Sequence, residues 1–135
     1  MAEQAVLPYL LYEDGEAAVR FLTEAFGFEI GDHYMTDGDG RVNHADLRLG
    51  DASIMLGVPA GGGTSPNAAG GATVLVCVFV GDVDAHYAHA VAAGATIDSK
   101  PEDKPYGWCT YGATDPQGHK WWFNQVISEP PEAST

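Results

Sequence analysis

One strand-like segment of the sequence carries an imidazole and a carboxylate at alternate positions. In Arg41–Leu49, apolar and polar residues alternate, which predicts a β-strand whose apolar side chains pack on one face. His44, Asp46 and Arg48 then share the opposite face, where a ligand could reach them. An imidazole beside a carboxylate can transfer protons or can hydrogen-bond a bound molecule. The alternative is a solvated polar rim without a function.

The other four histidines give no metal-binding pattern. His86 and His89 are three residues apart, but the amphipathic pattern of their predicted helix places both on its exposed side. His119 follows a turn and is expected to stabilise the hairpin. His33 lies near a strand end, and the sequence does not indicate what it contacts. We therefore predict no metal ligand among these four residues.

Aromatic residues are concentrated late in the chain. All three tryptophans lie there, namely Trp108, Trp121 and Trp122, close to Tyr106 and Tyr111. Because neighbouring residues of a strand face opposite ways, Trp121 and Trp122 cannot both line one pocket. We predict that Trp122 lines it, because aromatic planes favour flat or cationic ligands. The alternative is that these rings only complete a small core.

Composition and charge restrict the class of protein. A formal net charge of −13 argues against binding nucleic acid or an anionic membrane, and favours a cationic ligand. No apolar run approaches the roughly 20 residues of a membrane span, and Met1–Leu11 does not resemble a signal peptide. A cytoplasmic protein is therefore expected. Cys77 and Cys109 lie in apolar segments and are predicted to be reduced, buried thiols.

The order of predicted elements repeats once along the chain. Each half reads as a strand, a helix and three strands, with Asp14 and Asp82 positioned to cap the helices. The strands are predicted at Val6–Tyr12, Glu29–Met35, Arg41–Leu49, Ala52–Val58, Thr73–Val80, Thr96–Lys100, Trp108–Thr114 and His119–Ile127. This order predicts an α+β fold of two βαβββ modules. Each sheet has a helix on one face only, so its other face needs a different cover.

The boundaries of the modules follow from composition. The modules are predicted at residues 1–58 and 73–128. Between them, residues 59–72 read PAGGGTSPNAAGGA, a Gly/Pro-rich linker that is predicted to be a flexible connection or a surface loop. Residues 129–135 are predicted to be a disordered tail.

Four segments together resemble one known superfamily. They are YLLYEDGEAAVRFLTEAFGF, NHADLRLGDASIMLG, VFVGDVDAHYAHAVAAGA and PYGWCTYGATDPQGHKWWF. On these segments the chain resembles the vicinal oxygen chelate superfamily, which includes glyoxalases, bleomycin-resistance proteins and extradiol dioxygenases. The resemblance implies tandem βαβββ modules that form a curved mixed sheet, whose concave face is a cup for a metal or a ligand.

The resemblance also implies where enzymes of this superfamily hold a divalent metal, through His, Glu or Gln ligands on four strands. Three of these positions fall on Leu7, Leu75 and Trp122, and the fourth lies in Ala52–Val58, which contains no such residue. Leucine and tryptophan offer no lone pair suited to the ion. We therefore predict a cup with no metal and no cofactor.

The predicted cup combines aromatic and aliphatic side chains with a few polar groups, as organic-ligand pockets usually do. The candidate contact residues are Tyr9, His44, Asp46, Met55, Phe79, Tyr106, Trp108, Tyr111, Trp122 and Asn124. No catalytic residue is assigned.

Two functions suit such a cup. The first is a non-catalytic protein that sequesters an aromatic or cationic natural product, as bleomycin-resistance proteins do, and so gives antibiotic resistance by drug binding. The second is a glyoxalase- or dioxygenase-like enzyme with an atypical metal site at His44, or with metal-free acid–base chemistry from His44 and Asp46. We favour the first over the second and over an interaction module without a ligand. The uncovered sheet faces, and the pairing common in the superfamily, predict a homodimer.

Overall fold

Two βαβββ modules follow each other in the computed structural model, which describes residues 4–59 and 64–129. The first module contains β1 (Tyr9–Leu11), α1 (Gly15–Phe26), β2 (Glu29–Thr36), β3 (Val42–Leu49) and β4 (Ala52–Gly57). A one-turn helix, α2 (Pro66–Ala69), lies between the modules. The second module contains β5 (Leu75–Phe79), α3 (Val83–Ala92), β6 (Thr96–Asp103), β7 (Trp108–Thr114) and β8 (Lys120–Val126). The predicted α+β fold is confirmed.

Each module forms one four-stranded mixed sheet. The strand orders are β1-β4-β3-β2 and β5-β8-β7-β6, so the second module repeats the first. In each sheet the first strand pairs in parallel with the last, and the other pairs are antiparallel. β6 extends beyond the predicted end at Lys100, across Pro101. A proline is tolerated there because β6 is an edge strand with a neighbour on one side only.

Both long helices begin at the predicted aspartates. Asp14 accepts a hydrogen bond from the Ala17 amide at 3.0 Å, and Asp82 accepts one from the Ala85 amide at 3.0 Å. Gly27 ends α1 in the left-handed conformation, with a φ of 81°, as expected of a helix C-terminus. In the part of the chain that the structure describes, no helix is long and apolar enough to cross a membrane.

The core joins the two modules through their helices. The Phe26 ring of α1 lies 4.7 Å from the Phe123 ring and 5.5 Å from the Trp121 ring, both on β8. His86 of α3 donates a hydrogen bond from Nε2 to the Phe26 carbonyl at 2.8 Å. The prediction that His86 is exposed is therefore wrong, because a helix pattern cannot reveal that a second helix packs on the polar side. His89 is exposed as predicted.

A second contact between the modules is centred on the turn before β8. Tyr12 Oη donates a hydrogen bond to the buried Asp115 carboxylate at 2.5 Å, and Trp121 Nε1 donates to the same oxygen at 3.2 Å. The His119 ring donates from Nε2 to the Leu11 carbonyl at 2.7 Å. The role of His119 is therefore not limited to its own hairpin, because its ring also forms a hydrogen bond to the first module.

Part of the predicted linker is anchored. Ser65 is buried, caps α2 by accepting a bond from the Ala68 amide at 3.2 Å, and donates one to Glu13 Oε1 at 2.5 Å. The Asn67 amide donates to the Gln117 carbonyl at 3.1 Å. The segment therefore runs along the junction of the modules. Residues 60–63 of the predicted linker and 130–135 of the predicted tail lie outside the described residues.

Candidate functional site

The side of the two sheets turned away from α1 and α3 is here called the open face. Burial alternates along β5: Val76 and Val78 belong to the core, whereas Leu75, Cys77 and Phe79 are exposed on the open face. Phe79 exposes 51% of its surface. The prediction that Cys77 is buried is wrong, because its strand is covered on one face only.

Trp122 lies on the open face of β8 and exposes 40% of its surface. It pairs with Cys77 on one side and with Gly112 on the other. A Cβ atom on Gly112 would come within 3.2 Å of Trp122 Nε1, so the indole lies against this glycine. Its neighbour Trp121 is fully buried. The side chains of Trp121 and Trp122 therefore lie on opposite faces of β8.

Three further rings form an aromatic cluster, defined as Phe79, Tyr106 and Trp108. Trp108 packs edge-on against Phe79 at a centroid distance of 4.7 Å and against Tyr106 at 5.0 Å. Phe79 and Tyr106 remain exposed, and Trp108 is half-buried. This T-shaped packing holds the rings in place while part of their surface stays available to a ligand.

Two predicted contact residues do not reach the surface of the open face. Tyr111 is fully buried on the opposite face of β7, where its ring stacks on Phe123 at 5.2 Å, and burial raises its pKa. Asn124 does lie on the side of Trp122, but it is fully buried and accepts a hydrogen bond from Thr110 Oγ1 at 2.8 Å. Because both side chains are fully buried, neither can contact a ligand on the open face, and the prediction that they are contact residues is wrong.

The first module brings four polar side chains together in a polar chain, defined as Tyr9, His44, Asp46 and His33. Tyr9 Oη lies 2.9 Å from His44 Nδ1, and His44 Nε2 lies 2.7 Å from Asp46 Oδ1. The second carboxylate oxygen, Asp46 Oδ2, lies 2.6 Å from His33 Nδ1. The half-buried Met55 pairs with Tyr9 and with Asp46 on neighbouring strands, beside this chain.

Asp46 carries the negative charge of the polar chain. Partial burial acts to raise the pKa of this carboxyl, but the hydrogen bonds from His33 and His44 outweigh burial and hold the pKa below its usual value. The carboxylate is therefore ionised at neutral pH. It lies on the open face, as the strand alternation predicted.

A cavity of about 500 Å³ opens at the junction of the modules and is here called the seam cavity. Its lining consists of Pro8, Tyr9, Leu10, Leu11, Thr64, Ser65, Pro66, Ala69, Gly71, Ala72, Thr73, Val74, Leu75, Val76, Cys77 and His119. β1 and β5 are both edge strands of their sheets, and both line this cavity. Its lining includes Tyr9 of the polar chain and Cys77, the strand neighbour of Trp122, so the cavity lies between these two groups.

The side chains at the superfamily's metal positions do not fit a divalent ion. Leu75 and Trp122 lie on the open face, and the residues of β4 that share this face are Ser53, Met55 and Gly57. These side chains provide no imidazole or carboxylate. Among the described residues, no group of three or more His, Cys, Asp or Glu side chains is arranged to hold a metal ion.

Some features of the site were not predicted from the sequence. A Cβ atom on Gly57 would collide with the Tyr9 phenol, so this glycine lets the Tyr9 ring lie across β4 towards His44. His33 reaches Asp46 next to an irregularity in the pairing of β2 with β3. A glycine on a predicted open face is a signal that could have found the first feature, since it leaves room for a neighbouring ring.

The sequence matches the family model of the glyoxalase/bleomycin resistance protein/dioxygenase superfamily over residues 5–123. The chain belongs to this superfamily. It is 36% identical to an uncharacterized protein of Mycobacterium bovis, over 94% of this chain and 86% of the relative.

Two solved structures extend the comparison. TioX from Micromonospora sp. ML1 is 32% identical with a TM-score of 0.71, covering 93% of this chain and 100% of TioX. TnmS3, an antibiotic binding protein from Streptomyces sp. CB03234, is 25% identical with a TM-score of 0.67, covering 93% of this chain and 98% of TnmS3.

Proposed function

We propose that this protein binds a small aromatic molecule on its open face and does so without a metal ion. The observation that carries the proposal is the exposure of Trp122 and Phe79 beside a cavity of about 500 Å³. Large apolar side chains are normally buried, and a contiguous exposed group of them usually marks a binding site. A cavity of this volume suits a drug-sized ligand.

The proposed role is sequestration of an aromatic or cationic natural product. TnmS3, which is similar to this chain over nearly its whole length, is an antibiotic binding protein. The net charge of −13 favours a cationic compound at long range. Sequestration lowers the free concentration of a drug by mass action, so it requires tight binding and an excess of protein, but no reaction.

The proposal is tested by titrating the protein with polycyclic and glycopeptide antibiotics and following tryptophan fluorescence. We expect quenching that saturates, and recovery of the unchanged compound by mass spectrometry. Elemental analysis should find no stoichiometric Zn, Ni, Mn or Fe in the purified protein. A chemically altered compound would contradict sequestration, and a stoichiometric metal would contradict metal-free binding.

A second candidate is metal-free acid–base chemistry, and the polar chain is the observation that favours it. His44 lies between the Tyr9 phenol at 2.9 Å and the Asp46 carboxylate at 2.7 Å. An imidazole oriented by a carboxylate can accept a proton from a phenol or a bound hydroxyl. Turnover of a bound compound that is abolished by His44→Gln would favour this candidate over sequestration.

We also propose that a second copy of the chain covers part of the open face. Exposed apolar side chains of the open face extend beyond the aromatic cluster to Met35 on the outer strand β2, which pairs with His44, and to Val126 at the end of β8, which pairs with Trp108. Such surfaces are characteristic of interfaces between subunits. Analytical ultracentrifugation should give a dimer at micromolar concentration, and a monomer would contradict this part of the proposal.

A further inference from the structure

We propose that the polar chain holds Tyr9 Oη as a hydrogen-bond acceptor, so that the ligand of the open face presents an N–H or O–H donor to it. The chemical class is an aromatic compound that carries a protonated amine or a hydroxyl group. This inference rests on the proposed function, because it specifies which aromatic compounds the open face would bind.

The direction of each hydrogen bond follows from the partner at the centre of the chain. An ionised carboxylate only accepts, so His33 Nδ1 and His44 Nε2 must both donate to Asp46. Above the usual titration range of histidine an imidazole is neutral and carries one N–H, so with Nε2 donating, His44 Nδ1 is an acceptor. The Tyr9 hydroxyl proton therefore points at His44 Nδ1, across 2.9 Å. This leaves the lone pairs of Tyr9 Oη as the groups that face a ligand.

The position of Tyr9 makes these lone pairs accessible. Tyr9 exposes 47% of its surface and lines the seam cavity. Its ring lies against Gly57, which fixes the approach to His44, and the two rings are tilted by 45° at a centroid distance of 5.5 Å. The phenol is thus held from two sides: its hydroxyl lies over Gly57 towards His44, and Tyr9 also forms part of the cavity lining.

The lining of the seam cavity supports a donor group on the ligand. Among the described residues that line it there is no Lys, Arg, Asp or Glu. The one ionisable base, His119, already donates from Nε2 to the Leu11 carbonyl. An ammonium group on the ligand would therefore meet no opposing cation in the lining, and the Asp46 carboxylate lies two hydrogen bonds from Tyr9, through His44.

The hydrogen-bond direction can be measured without any ligand. Nitrogen-15 NMR of the histidine rings at about pH 8, above the usual titration range of histidine, distinguishes protonated from unprotonated ring nitrogens. We expect His44 to be protonated at Nε2 and unprotonated at Nδ1. A proton on His44 Nδ1 would overturn the inference, since Tyr9 would then accept that hydrogen bond and could offer its own proton to a ligand.

The ligand preference is tested with three matched probes, namely 1-naphthylmethylamine, 1-methylnaphthalene and 1-naphthoate, titrated at the same pH and followed by NMR. We expect the amine to bind about tenfold more tightly than the methyl compound, and the carboxylate most weakly. Tyr9→Phe should remove the preference for the amine. Gly57→Ala, which displaces the Tyr9 ring, should weaken it. Tyr34→Phe, a change at another exposed tyrosine, is the matched control and should retain it.

The outcomes separate this inference from the proposed function. If all three naphthalenes shift the Trp122 resonances with equal affinity, the inference is wrong and aromatic binding stands. If none of them binds, the proposed function fails for this ligand class and the inference fails with it. Should Tyr9→Phe keep the full preference for the amine, Tyr9 is not the acceptor and the inference is overturned.

Discussion

Two adjacent tryptophans offer a direct test of which face of β8 binds a ligand. Trp121 is fully buried, whereas Trp122 exposes 40% of its surface on the open face. The substitutions Trp121→Ala and Trp122→Ala remove the same atoms from neighbouring positions. Each variant therefore serves as the control for the other, and the two should differ in which property they lose.

The expected loss of stability follows from burial. Replacing a fully buried tryptophan by alanine costs about 3–5 kcal/mol, so Trp121→Ala should lower the free energy of unfolding by that amount. It also breaks the hydrogen bond that Trp121 Nε1 donates to Asp115. Trp122 is already partly in solvent, and its removal leaves a groove instead of a closed cavity. We expect Trp122→Ala to cost about 1–2 kcal/mol.

For affinity the order is reversed: Trp122→Ala should lose more affinity than Trp121→Ala. A stacked ring contributes about 1–3 kcal/mol to binding, so Trp122→Ala should raise the Kd for 1-naphthylmethylamine by about 5- to 150-fold. Guanidinium unfolding followed by far-ultraviolet circular dichroism measures the stabilities, because this signal does not depend on tryptophan fluorescence. Isothermal titration calorimetry measures the affinities.

Two results would refute this reasoning. Equal destabilisation by both substitutions would mean that Trp122 is a core residue in solution. A stable Trp122→Ala variant with the affinity of the wild-type protein would mean that the ligand does not contact this ring.

Three further predictions concern the packing beneath the open face. Burial lowers the pKa of His86, so as the pH falls this histidine is protonated in the unfolded chain before it is protonated in the folded protein. The free energy of unfolding should therefore decrease as the pH is lowered through about 6.5, and the decrease should be smaller in His86→Gln. Asp115→Asn should cost about 3 kcal/mol in denaturant unfolding, because the new amide NH2 must face either the Trp121 Nε1–H or the backbone N–H groups of Gln117 and His119, all of which only donate. Iodoacetamide should alkylate the exposed Cys77 and spare the buried Cys109, as peptide mass spectrometry would report.

Each of these has a defined contrary result. An unchanged pH slope in His86→Gln would mean that folding does not lower the pKa of this histidine. Wild-type stability in Asp115→Asn would mean that the turn before β8 does not hold the modules together. Rapid labelling of both cysteines in the native state would contradict the burial of Cys109, whose pKa is raised chiefly by that burial.

The local sequence was sufficient to predict the eight strands, the two long helices and their order, but not the one-turn helix α2, whose residues were predicted to be linker. Asp14 and Asp82 each have the side chain that caps a helix, and both helices begin there. Alternation on β8 also separated Trp121 from Trp122 correctly. The same rule excludes Tyr111 from the open face, because Tyr111 and Trp108 lie three residues apart on one strand and must face opposite ways. The sequence therefore contains the signal that places Tyr111 in the core.

Other features depend on contacts between segments that are distant in the sequence. His86 is covered by α1, and its hydrogen bond to the Phe26 carbonyl spans 60 positions. His33 meets Asp46 only because β2 pairs with β3 through an irregular register. Neither partner can be predicted from the periodicity of its own segment. The set of elements is thus a local property of the chain, whereas the polar chain is a product of the fold.

The seam cavity also predicts that one chain supplies both halves of a site. β1 and β5 of the same chain line it, and Cys77 on β5 pairs with Trp122. If a ligand contacts Tyr9 and Trp122 of one chain, refolding Tyr9→Phe and Trp122→Ala chains together as mixed dimers cannot create an intact site. We therefore expect no sites of wild-type affinity in the mixture.

The opposite outcome has an equally specific meaning. If each site combines the first module of one copy with the second module of its partner, a mixed dimer contains one site with both substitutions and one site with neither. Mixing would then restore wild-type affinity at about a quarter of all sites, since random pairing makes half of the dimers mixed. Calorimetric titration with 1-naphthylmethylamine, with each variant alone as the control, distinguishes these arrangements because only the second yields a tight-binding fraction.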